Sequence, residues 1–173
     1  MFFFGNCGTE AVDSAIKLAR YTTGRQGIIA FTGGFHGRTY GAASVTGNAK
    51  YRKHYMPFVP GVYFADFPNP YRCPLGNTPE AAVEWSIGSI ERLFKYIVSP
   101  EEVAAILIEP VQGAGGYLIP PDGFLQELRK ICDQHGILLI FDEVQTGFGR
   151  TGEMFAAQTF GVNPDIMAIA KSI

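Results

Sequence analysis

Ile137-Leu138-Leu139-Ile140-Phe141-Asp142-Glu143 sets the fold: five apolar residues without alternation, closed by two carboxylates. Such a run predicts a strand over 137–141 that is buried on both faces. Just upstream, residues 123–135 read as a helix closed by Gly136. Before that lie another apolar strand over 103–108, followed by Glu109, and a loop over 110–121. A helix begins at Pro79 and runs through Ile87, Ile90 and Leu93–Tyr96. Nearer the start, Thr9 is positioned to cap a helix reaching about Thr22, with Val12, Ile16 and Ala19 on one face and Gly24 just past its end. A short strand over 28–31, a small helix over 39–46 and an extended Pro-, Asn- and Tyr-rich excursion over 47–79 follow. Pro164-Asp165 leads into a last strand over 166–170, and Met1–Gly5 reads as a strand end. Unalternated strands separated by helices predict an α/β fold, a mostly parallel sheet with helices on both faces. Ligands of such sheets lie beyond the carboxyl ends of the strands. That rule selects Glu109, Asp142-Glu143 and Lys171.

Composition narrows the function classes. The 173 residues carry 14 Lys+Arg against 16 Asp+Glu, a net charge of −2, which excludes nucleic-acid binding driven by bulk charge. Apolar residues make up 47% and charged ones 17%, so much of the chain expects burial and disorder is excluded. No segment approaches the roughly 18 apolar residues of a membrane span. Cys7, Cys73 and Cys132 form no CxxC, which argues against a zinc ribbon or a disulfide framework and for a reducing, cytoplasmic setting. His54 and His135 lack companions at ligand spacing, so no metal site is expected.

The strand-end residues suggest chemistry. Asp142 and Lys171 each follow a buried strand and can reach one crevice. There, Lys can form a Schiff base while Asp pairs with a pyridinium nitrogen. Spacing alone favours a more ordinary reading, an ion pair or a loop-capping Asp with a surface Lys. Gly5-Asn6-Cys7-Gly8-Thr9 opens a helix, so free N–H groups and the dipole offer a phosphate site, with the Thr9 hydroxyl as a further donor. An ordinary N-cap explains the same residues. In Phe35-His36-Gly37-Arg38, the aromatic can stack on a flat cofactor and Arg38 can clamp a carboxylate. His36 by itself reads as structural. Gly147–Gly152 matches GxGxxG, but its first Gly comes five residues after Asp142, so a tight Gly-rich loop is favoured over a dinucleotide site.

These signals occur in a familiar order: Asn6-Cys7-Gly8-Thr9-Glu10-Ala11, Phe35-His36-Gly37-Arg38-Thr39, Glu109-Pro110-Val111-Gln112-Gly113, Asp142-Glu143-Val144-Gln145-Thr146-Gly147 and Ala170-Lys171-Ser172. Together they resemble the class III aminotransferases, fold type I enzymes that use pyridoxal 5′-phosphate, and within them the 4-aminobutyrate branch. The resemblance implies that Lys171 bonds the cofactor and moves the substrate proton. It implies that Asp142 holds the pyridinium nitrogen and Gln145 the ring hydroxyl. Val144 and Phe35 would pack on the two ring faces, with His36 in the same loop. Gly8 and Thr9 would hold the phosphate, Glu109 would lie close to the cofactor and Arg38 would meet a substrate carboxylate. The implied partners are an ω-amino acid and a 2-oxo acid, with the active sites at the interface of a homodimer.

Two departures shape these expectations. The loop after Glu109-Pro110 has Ala114 where the 4-aminobutyrate branch often has Glu. Alanine–glyoxylate-like or β-alanine–pyruvate-like pairs therefore stay open, as do an aminomutase, a racemase, a decarboxylating transaminase and, more distantly, a dinucleotide-binding domain. Length is the other departure. Residues 1–173 read as a partial cofactor-binding large domain, without the N-terminal segment and C-terminal small domain of family members. By itself such a fragment is expected to be nearly inactive.

Overall fold

The computed structural model describes residues 1–172. Its frame is a five-stranded parallel sheet of β1 (Gly27–Phe31), β2 (Val62–Ala65), β3 (Val103–Ile108), β4 (Leu138–Asp142) and β5 (Ile166–Ala168), in the spatial order β2-β1-β3-β4-β5. Six α-helices accompany it: α1 (Gly8–Thr23), α2 (Tyr40–Val45), α3 (Ala49–Arg52), α4 (Pro79–Tyr96), α5 (Phe124–His135) and α6 (Ala156–Phe160). The expected α/β architecture is present.

Strand alternation divides the core in two. Ile29 and Phe31, Ile106 and Ile108, and Leu139 and Phe141 face α4, α5 and α6. Ile28 and Ala30, Ala105 and Leu107, and Ile140 and Ala168 face α1 and α2. Small residues crowd the second face, from Ala15 and Ala19 of α1 to Ala30, Ala105 and Ala168 of the sheet, so α1 lies close across β3, β4 and β5. Burial of each large side chain contributes about 1.5–3 kcal/mol. Exposed ion pairs such as Lys130–Glu127 contribute about 0–1 kcal/mol and are secondary.

The strand order reverses direction between β1 and β3, which places the ligand crevice at their carboxyl ends. Several sequence expectations need correction. Thr9 does not cap α1: the N-cap is Cys7, which offers no side-chain hydrogen bond, and Thr9 lies inside the first turn. Met1–Phe4 form no strand; they pair with none of the described strands and are exposed. The 47–79 excursion contains α3 and β2, the latter a short edge strand with only Ala65 fully buried. β5 ends at Ala168 instead of residue 170, which releases Ile169 and Ala170 to carry Lys171 away from the sheet. The described cysteines are free, and burial pushes the Cys132 thiol up to about 12, out of the range of thiolate chemistry.

Candidate active site

The site grows from the loop after β1, which crosses the end of β3 to reach β4. Phe35 N–H donates to Glu109 Oε1 (2.8 Å), and His36 Nδ1 lies 2.7 Å from Asp142 Oδ2. Glu109 closes its other side by accepting Gly113 N–H at Oε2 (3.0 Å). One loop thus ties together the ends of three adjacent strands. Alternation then decides which carboxylate of the Asp142-Glu143 pair faces α1. Asp142 shares the parity of Leu138 and Ile140 and lies on the α1 side. Glu143 turns the other way, fully buried, and accepts Ala156 N–H at 3.0 Å, Ala157 N–H at 2.8 Å and the Thr146 hydroxyl at 2.5 Å. It anchors the loop between β4 and α6, a role that strand-end position alone did not separate from that of Asp142.

Asp142 is buried, with its Oδ1 accepting Val144 N–H (3.1 Å) and its Oδ2 beside His36. Burial opposes a charged His36 imidazole, but the hydrogen bond and charge of Asp142, with the charge of Glu109, raise its pKa overall above 6.5. Burial likewise raises the Glu109 carboxyl above its ordinary value, against the pull of His36 and two backbone N–H groups. A raised imidazole pKa stabilises the fold most fully below 6.5, and this contribution fades as pH climbs through the folded-state value. Denaturant titrations of wild type and His36→Gln at several pH values are therefore expected to differ most in mild acid and to converge in mild base.

The N-terminus of α1 reaches the same place. A Cβ on Gly8 would lie 2.9 Å from Val144 Cγ1 and 3.4 Å from Ala170 Cβ, so only glycine permits this approach. Val144 sits between Asp142 and Gln145, and Ala170 precedes Lys171. Lys171 is exposed, and its Nζ donates to Gln145 Oε1. The helix start, Asp142, Gln145 and Lys171 therefore converge. The Gly8→Ala substitution is expected to push α1 off Val144 and to weaken anion binding at the helix start by about tenfold, since each 1.4 kcal/mol is tenfold. Fluorescence titration with pyridoxal phosphate measures this.

The remaining expected residues lie near this cluster with partners the sequence did not reveal. The Thr39 hydroxyl donates to Asp13 Oδ2 (2.6 Å), so in the 3.0 Å contact between Thr9 and Thr39 it is Thr9 that donates. The Thr9 proton is thus turned toward Thr39. Phe35 is half-buried beside Tyr51, with ring centroids 4.6 Å apart, and the exposed Arg38 guanidinium lies 5.4 Å from the Phe35 centroid. An open cleft of about 400 Å³ lined by Thr32, Asp66, Arg72, Trp85 and Gln112 contains neither Asp142 nor Lys171.

The donor set fits pyridoxal phosphate: an amine, a buried carboxylate, an amide oxygen and an uncapped helix start whose first-turn N–H groups suit a phosphate. Comparison with known proteins points the same way. The family described as Aminotransferase class-III matches residues 1–173. The chain is 45% identical over 171 residues to a probable 4-aminobutyrate aminotransferase of Bacillus subtilis (strain 168), covering 98% of the chain and 39% of that protein. It is 48% identical over 167 residues to a 5-aminovalerate aminotransferase of Pseudomonas putida, covering 96% and 38%. An amine transaminase from an uncultivated Pseudomonas species, solved in its PLP-bound form, superposes with a TM-score of 0.91 at 38% identity, over 96% of this chain and 39% of that one. The chain thus spans under two-fifths of these relatives' length. With a family match from end to end and a sheet that superposes on a solved transaminase, the chain belongs to the class III aminotransferases.

Proposed function

We propose that this chain is the cofactor-bearing part of a pyridoxal-phosphate transaminase that moves an amino group from an ω-amino acid to a 2-oxo acid. The observation that carries the reading is the contact of Gly8 with Val144 and Ala170, which draws an uncapped helix start, Asp142 and Lys171 to one point. The names of the relatives, a 4-aminobutyrate and a 5-aminovalerate aminotransferase, support an ω-amino acid as the donor.

The residues divide the work by chemistry. First-turn N–H groups of α1 bind the phosphate, because they have no side-chain acceptor at Cys7. Asp142 would present a carboxylate oxygen to the ring nitrogen while its backbone and imidazole contacts hold it in place. Gln145 orients the amine of Lys171 and would hydrogen-bond the ring hydroxyl. Lys171 Nζ, once free as an amine, would take the proton from the substrate carbon and hold it as an ammonium ready to give back. Phe35 and Val144 would pack on the ring, and Arg38 would receive a substrate carboxylate. Bound pyridoxal phosphate supplies the electron sink that stabilises a carbanion. Ala114 is exposed in the loop after Glu109 and offers no charge to a second carboxylate partner. The full protein is proposed to work as a cytoplasmic homodimer with a further N-terminal segment and a C-terminal small domain. No helix among the described residues is long and apolar enough to cross a membrane.

The test is direct. The protein is loaded with pyridoxal phosphate, reduced with borohydride and mapped by mass spectrometry. An adduct confined to Lys171 supports the reading, and labelling spread over several lysines overturns it. Product analysis with 4-aminobutyrate and 2-oxo acids then identifies the transferred group.

A further inference from the structure

We infer that Arg150 is a positioning residue, fixing the Lys171 turn through the hydroxyl of Ser172. The inference rests on Lys171 being the cofactor-bearing amine. It gives a purpose to the Gly147–Gly152 loop, whose glycines match a dinucleotide pattern.

Lys171 stands in an unusual backbone state. Its φ is 66°, a region that residues with a Cβ rarely occupy, and Ser172 N–H donates back to Ala170 O at 2.9 Å. A three-residue turn of this kind persists only where its surroundings hold it. Upstream, Glu143 N–H donates to Ala168 O (2.9 Å), which fixes the chain where it leaves β5. Downstream, the hold is Arg150: its Nη2 donates to Ser172 Oγ at 2.5 Å, and its Nη1 reaches Gly147 O at 3.4 Å. The loop that carries Arg150 is itself fastened. Phe148 N–H donates to Met154 O (2.7 Å), Gly152 N–H donates to Gly149 O (3.1 Å), and buried Glu143 closes its two ends. Gly149 at φ 87° and Gly152 at φ 101° permit the tight path. The same loop supplies Gln145, which accepts from Lys171 Nζ. It therefore holds the lysine at two places, the amine through Gln145 and the backbone through Arg150 and Ser172.

The experiment is a double-mutant cycle on the intact protein: Arg150→Ala, Ser172→Ala, both together, and Ser172→Thr, which keeps the hydroxyl. The first readout is hydrogen exchange of the residue 172 amide without cofactor. Each single substitution is expected to speed exchange about tenfold, the size of a lost hydrogen bond to a charged group, with β4 unchanged. The double variant is expected to exchange no faster than either single one, and Ser172→Thr to restore the wild-type rate. In the loaded protein, kcat is expected to fall with KM nearly unchanged, because the substrate contacts stay in place. Additive effects, or unchanged exchange in Arg150→Ala, would overturn the inference. Ser172→Ala removes only an exposed hydroxyl and keeps the test open if Arg150→Ala misfolds. Exchange is read without cofactor, so a borohydride adduct away from Lys171 would defeat the functional reading and leave this result separately legible.

Discussion

Lys171→Met is expected to abolish borohydride-fixed cofactor labelling and to lower transamination by about 10⁴-fold, the upper range for a positioned proton-transfer group. Methionine keeps most of the length and flexibility of the side chain and removes the amine. Folding should change little: Lys171 is exposed, and the bond of its side chain to Gln145 is at the surface. The variant should still bind the cofactor non-covalently, because the helix start and Asp142 are untouched. Mass spectrometry reads the labelling, an equilibrium titration reads the binding and a coupled assay reads the rate. Activity within tenfold of wild type would show that another amine does the work.

Asp142→Asn is the second large effect, and it acts from below the site. The carboxylate has two engaged oxygens, one accepting Val144 N–H and one beside His36. An amide has a single acceptor, so one of those neighbours would face an NH₂ group. A ring nitrogen would also lose its anionic partner. Breaking a buried charge pair costs about 3–5 kcal/mol, and in a barrier this is about 10²–10⁴-fold. The fold should lose about 1–3 kcal/mol through the unmatched polar group. His36→Gln is the control. It disturbs the same pair but leaves the carboxylate, so it should lower stability more than it lowers rate. Rates that fall equally in both variants would place the charge requirement on the pair and not on Asp142.

Which parts of this were legible in the sequence follows from how each residue is constrained. The 103–108 strand was readable because every residue in it is apolar and buried. β2 was not, because Val62–Phe64 are half-buried at a sheet edge and sit in a stretch dominated by Pro, Asn and Tyr. The same limit applied in the site. Asp142 and Lys171 were singled out from their places after strands, which topology dictates. The opposite orientation of Glu143 required strand parity, and strand parity required β4 to end at Asp142. Thr9 was misread as a cap because Thr is a common N-cap residue, whereas Cys7 takes that position without a side-chain bond. The engagement of its hydroxyl with Thr39, and of Thr39 with Asp13, depends on contacts between distant segments. No local pattern encodes those.

The meeting of Gly8 with Val144 and Ala170 also bears on the route by which the molecule is built. The partners lie near opposite ends of the described sequence. Bringing them together demands closure of nearly the entire loop between them, and such long-range closures come late and slowly. During synthesis, α1 emerges before β3, β4 and β5 and must wait for them before its small-residue face is covered. The helix start proposed to hold the phosphate is thus among the last features to form, and a ligand held there reports that β4 and β5 have docked on α1. Pyridoxal phosphate added during refolding is accordingly expected to act on the final docking step and to leave the earlier association of β1 with β3 unchanged.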